Sequence, residues 1–243
     1  MTKQIDITED DFSVGFHKSN LSDADIRLFA KEVYEESLWD YLLDGVTDET
    51  VIATQHGFQV RSGKPGDDID SIIRINEHKS IFQEQKTHRL IGYSESISLE
   101  ARRNVIAHML GHYFLHAKEE DYVKANLYKH GSAKYERIRE NKDEWEKYLQ
   151  AALFARVLLI PEDIFVSELD KKLDKKRELY LSDYYRSIEE ISKRFFVPNK
   201  IVAQRMLDND KNIMSLKSQY KDIEPVAIGY MKAIDMLENS RTK

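Results

Sequence analysis

The sequence predicts an α+β fold that is mostly helical, on three observations. Gly (9) and Pro (4) are scarce in 243 residues, so few positions break a helix. Short runs rich in Ile, Val and aromatic residues between 58 and 93 have the length of strands. From Ser98 onward apolar residues recur at helical spacing over long stretches.

Each element follows from local signals. Residues 1–20 carry weak periodicity and several acids, and are read as an arm. Ser22 is placed to cap a helix with Asp23 and Asp25 in its first turn and Ile26, Phe29, Ala30 and Val33 along one face. A short helix over Thr50–Gln55 should end at His56-Gly57, with Gly57 supplying the left-handed residue. Phe58–Val60, Ser71–Asn76 and Arg89–Tyr93 read as strands of a small antiparallel sheet, and Ser62–Gly66 as a turn. Ser98 can cap a helix carrying Val105, Ile106, Leu110 and Phe114. A polar stretch over 118–142 precedes an amphipathic helix, Asp143–Leu159, stopped by Pro161. Lys171–Glu178 reads as a solvated helix face or linker, and Ser187–Leu207 as helix, turn, helix broken at Val197-Pro198-Asn199. A last helix spans Val226–Leu237.

Composition bounds the function. The 41% hydrophobic content suffices for one large core, and no apolar run approaches the roughly 20 residues of a membrane span. The first six residues show no basic-then-apolar pattern, so a secretory signal is not expected. The absence of cysteine removes disulfide scaffolds, thiolate metal sites and Cys nucleophiles, and fits a cytoplasmic protein. A net charge of -6 argues against a broad nucleic-acid footprint. The helix pair in Ser187–Leu207 is therefore read as two packed helices rather than a DNA reader. Trp145, Tyr148 and Phe154, at helical spacing, are read as core.

The chemistry lies in Ile106–His116. His108, His112 and His116 are four apart and share a helix face. His108 and His112 are one turn apart and can converge on one metal ion, as in His-Glu-x-x-His zinc sites, or can be a histidine pair with no metal. His116 is roughly 12 Å along the axis from His108, too far for the same tetrahedral site. In the zinc motif a Glu follows the first His and takes a proton from bound water. Here Met109 stands there, and a thioether has no useful basicity.

Ala107-His108-Met109-Leu110-Gly111-His112-Tyr113, followed by His116, closely resembles the signature helix of the ImmA/IrrE family of zinc metallopeptidases. The resemblance extends over roughly 21 to 208. It includes the strand-like segments at His56–Val60 and Ser71–Asn76, the basic pair Arg102-Arg103, the block Phe154-Ala155-Arg156-Val157-Leu158-Leu159-Ile160-Pro161, and the helices over Ser187–Val197 and Arg205–Leu207. It implies a zincin-like core with C-terminal helices: an arm over 1–20, a peptidase-like domain over 21–208 and a helical extension over 209–243. It also implies a third zinc ligand, an acid four residues before Phe154, and an Asn or Asp two before it. Those positions hold Gln150 and Ala152. Glu146, one turn earlier, is the alternative donor or a solvated acid, and Asp143 and Glu144 carry the same two readings. Without the anionic ligand, zinc is expected to be held weakly or not at all. The expected activity is that of a catalytically impaired member that regulates a repressor-like or toxin-like protein partner by binding. The alternative is an active zinc endopeptidase that cleaves a repressor.

Overall fold

The computed structural model describes residues 21–41, 46–64, 68–78, 86–116, 123–129, 132–173, 180–208 and 210–241. The expected arm over 1–20 lies outside the described residues, as do the tip of the Ser62–Gly66 turn and most of Lys171–Glu178. Among the described residues no helix is long and apolar enough to cross a membrane.

The elements arise where local chemistry places them. Helix α1 (Asp23–Tyr41) opens on a reciprocal cap: the Asp25 backbone N–H donates to Ser22 Oγ at 3.2 Å, and the Ser22 N–H donates to the Asp25 carboxylate at 3.1 Å. Helix α2 (Glu49–Gln55) ends at Gly57, whose φ of 76° lies in the left-handed region that glycine adopts without strain. Three strands follow, β1 (Phe58–Gly63), β2 (Ile69–His78) and β3 (Lys86–Ser94), and then α3 (Leu99–His116). Ser98 Oγ accepts the Ala101 N–H at 3.2 Å, so α3 begins at its expected cap.

The polar stretch holds two elements that composition concealed, β4 (Val123–Tyr128) and α4 (Ala133–Glu140), the latter capped by Ser132. Helix α5 (Lys142–Leu159) is capped by Asn141 Oδ1, which accepts the N–H groups of Asp143 and Glu144, and it ends before Pro161. Among the described residues that follow are five helices: α6 (Glu162–Lys172), α7 (Leu181–Phe195), α8 (Asn199–Leu207), α9 (Lys211–Gln219) and α10 (Ile223–Arg241). The fold is α+β and mostly helical.

The sheet order is β1-β3-β2-β4. β2 is antiparallel to β3 (Ser71 opposite Tyr93) and to β4 (Ile75 opposite Val123), while β1 is parallel to β3 (Phe58 opposite Arg89). The sheet is thus mixed and one strand larger than the sequence suggested. β4 occupies the far edge of β2, and β1 pairs with the outer edge of β3, parallel to it. Gly92 lies opposite Ile72 in the register. A Cβ on Gly92 would stand 3.1 Å from the Ile72 side chain, so the small residue admits a larger neighbour.

The chain divides into two compact units. The first contains Thr50–Ile97 and Val105–Phe154, with the sheet, most of α3 and the start of α5. Its core includes Phe58, Ile73, Ile91, Ile106, Leu110 and Phe154. The second contains Arg27–Glu49, Ser98–Asn104 and residues from Ala155 onward, with a core that includes Phe165, Ile188, Phe195, Val202 and Met206.

In this second unit Arg103 is buried: its Nε donates to Glu49 at 2.9 Å, and its two terminal nitrogens donate to the carbonyls of Phe195 and Thr47. The α7–α8 connection is a tight C-cap. Phe196 takes a left-handed conformation (φ 49°), and the Val197 N–H donates to the Ser192 carbonyl at 3.1 Å. Helix α8 has no exposed residue and is tied to α10 by Lys200–Asp235 (2.6 Å) and Asn199–Tyr230 (2.8 Å). Asn199, Lys200, Gln204 and Leu207 of α8 are half-buried and its other residues are buried.

Candidate functional site

The site is built by α3 and α5 within the first unit. Residues 105 to 112 of α3 are all buried, so His108 and His112 are turned inward, and His116 at the end of the helix is half-buried. Gly111 is the reason the two helices lie so close. A Cβ there would stand 2.8 Å from the Ala151 carbonyl oxygen and 2.9 Å from its Cα. Phe114 and Phe154 continue the contact with ring centroids 5.6 Å apart.

His108, His112 and His116 form a row. The first two rings are 4.9 Å apart and edge-on, and the next two are 5.7 Å apart. His108 also packs 4.9 Å from the Tyr148 ring. Tyr148 stacks on Trp145 (5.0 Å, 9° between planes), and Tyr135 meets both edge-on. His116 Nε2 is 3.3 Å from the Lys147 carbonyl oxygen, a bond its N–H tautomer can donate. His116 therefore ends the row against the α5 backbone.

Burial sets the charge state. It holds His112 well below the usual histidine range, and the neighbouring His108, His116 and Lys147 charges push the same way. Burial also brings His116 down to about 4, against the opposing pull of the Lys147 carbonyl. The Tyr148 hydroxyl is pushed up by burial and by nearby Tyr135 and Asp70. At neutral pH His112 and His116 are uncharged, the form in which imidazole binds metal.

The other singled-out residues are placed as follows. Met109 is fully buried, at 0% exposure. Gln150 shares an α5 face with Lys147 and Phe154, and its amide donates to Glu146 Oε1 at 3.5 Å. Glu146, Asp143 and Glu144 are exposed, and Ala152 is half-buried. Among the described residues no group of three His, Asp or Glu side chains is close enough to hold a metal ion. The donor set thus does not fit a catalytic zinc ion bound by two imidazoles and a carboxylate. The Tyr135–Trp145–Tyr148 cluster beside His108 escaped the sequence reading as part of the site. Its only local signal was helical spacing, which any core aromatic shares.

Residues 53–207 match the model of the IrrE N-terminal-like domain, a peptidase family. The match starts within α2 and ends with α8, leaving α1, α9 and α10 outside it. No protein of curated function matches the chain in sequence.

Proposed function

The chain belongs to the IrrE N-terminal-like domain family, and from that membership we propose that it is a catalytically impaired member that controls a repressor-like or toxin-like protein partner by binding it. The observation that carries this reading is Met109. The position where the His-Glu-x-x-His motif keeps its proton acceptor holds a thioether, fully buried in the helix core. Gln150, at the position implied for the acidic ligand, offers an amide instead of a charge. Two neutral imidazoles and an amide hold zinc weakly.

The test is incubation with zinc and an unfolded substrate such as casein, or a candidate repressor. No product peptides are expected. Metal-dependent turnover would establish the alternative, an active endopeptidase with altered site residues. Metal analysis gives an independent reading. Protein purified without added metal should carry far less than one zinc per chain. Stoichiometric zinc, lost on Glu146→Ala, would make Glu146 the third ligand and overturn the weak-site reading.

A further inference from the structure

Away from the histidine row, α7 carries a protruding ring at one end and an open groove at the other, both within the second unit. The ring is Phe196, the left-handed residue that closes the helix at φ 49°. Among the described residues no other non-glycine has a positive φ. Glycine adopts that conformation freely, whereas a bulky side chain there is strained. Packing does not offset the strain, because Phe196 is 51% exposed while Phe195 beside it is fully buried. Position 196 thus combines backbone strain with an apolar ring in water, a combination that a binding anchor accounts for. Lys193, three residues earlier, is exposed and has no ion pair among the described residues, whereas Arg194 is held by Glu168 at 3.2 Å.

The groove lies roughly 22 Å away along the α7 axis. Leu181, Tyr184 and Tyr185 form one wall, Pro225, Val226 and Gly229 of α10 form the other, and about 410 Å³ lies between them. The walls are fixed in advance. Tyr184 is buried, and the Tyr185 ring meets the Tyr230 ring edge-on at 5.2 Å. The Tyr230 hydroxyl in turn accepts the Asn199 amide at 2.8 Å. A Cβ on Gly229 would meet nothing within 4 Å, so the groove is open there. Among the described lining residues Asp222 alone is charged. It is exposed and has no ion pair among the described residues. Nor can it cap α10 at the third helical position, because Pro225 there has no N–H.

The two ends are complementary. A phenyl ring matches an aromatic and aliphatic groove, and Lys193 matches Asp222. The negative C-terminal end of α7 also matches the positive first turns of α7 and α10. Ring and groove sit at opposite ends of one helix, so they meet only between copies. A side-by-side antiparallel pairing is disfavoured. With Phe196 set against Tyr184, it would place Arg186 against the second copy's Arg194 and Glu190 against its own counterpart, all exposed.

We propose that the chain associates head to tail with a second copy of itself, Phe196 of one copy seated in the α7–α10 groove of the next and Lys193 beside Asp222. Such a contact is heterologous: each pair keeps one free ring and one free groove, so growth continues past the dimer. Its small area makes it weak. Neither Met109 nor the histidines take part, so it stands or falls independently of the function proposed above.

The experiment is sedimentation equilibrium of the full chain from micromolar to submillimolar concentration. The weight-average mass should rise past that of a dimer, and raised salt should weaken the association severalfold. Phe196→Gly removes the ring and relieves the backbone, and Gly229→Trp fills the groove from a position with open space. Both should keep the fold by circular dichroism, and both should be monomeric. Mixed in equal amounts, they should form a species of two chains and none larger, because one intact ring and one intact groove remain between them. A monomeric parent chain, a parent mass that stops at the dimer, a Phe196→Gly variant that associates like the parent, or a mixture that stays monomeric would overturn the proposal.

Discussion

Met109→Glu is expected to lower the unfolding free energy by about 4 kcal/mol at pH 7 and to restore no cleavage. The substitution restores the residue type that the zinc motif carries, yet position 109 is fully buried and its helical neighbours from 105 to 112 are buried too. A carboxylate there must stay ionised in apolar surroundings or take up a proton, and both are costly. The pH dependence has a definite sign. Burial raises the folded-state pKa of the introduced group above its unfolded value of about 4.3, so the folded state binds more protons between those two values. Stability therefore falls as pH rises through that window, and the loss relative to the parent should be larger at pH 8 than at pH 5. Urea unfolding at the two pH values measures it. Adding Gln150→Glu should make the double variant gain stability from zinc, because the carboxylate at 150 adds the anionic ligand that the two imidazoles lack. A single Met109→Glu variant as stable as the parent, or one that cleaves with zinc alone, would refute the reading of this position.

Gly111→Ala should cost about 3 kcal/mol, although Ala is favoured over Gly in a helix by about 1 kcal/mol. The added Cβ would lie 2.8 Å from the Ala151 carbonyl oxygen and 2.9 Å from its Cα. Both obstacles are backbone atoms, so no side-chain rotation relieves them and α3 and α5 must move apart. Ala151→Gly in the same chain should rescue only a minor part, since it removes the 3.2 Å contact to the Ala151 Cβ and leaves the other two. Denaturant midpoints of the single and double variants decide the matter, and a neutral or stabilising single substitution would sink it.

Elements marked by short-range chemistry were legible in the sequence. Ser22 and Ser98 cap the helices expected of them, Gly57 ends α2, and Pro161 follows α5. β4 was not, because Val123–Tyr128 sits in a stretch whose overall polarity masks its alternation. α9, between Asp210 and Tyr220, has apolar positions too few and too short in span to stand out. The buried ion network in which Arg205 pairs with Asp208 and Asp210, Arg27 with Asp210, and Arg156 with Asp208 was illegible for another reason. Its members lie at 27, 156, 205, 208 and 210, and no local pattern links a guanidinium to a carboxylate that the fold brings from another helix.

The sequence by itself determined the family, the shared face of His108, His112 and His116, and the presence of Met109 where the His-Glu-x-x-His pattern has Glu. These are matters of residue identity and of spacing along one helix, which 3.6 residues per turn converts directly into geometry. Tertiary structure alone decided that His112 and His116 are held neutral, that Gly111 lets α5 approach within contact of the α3 backbone, and that α8 is covered by α10. Burial, proton affinity and ion pairing depend on which distant elements exclude water from a side chain, and that is a property of packing rather than of sequence order.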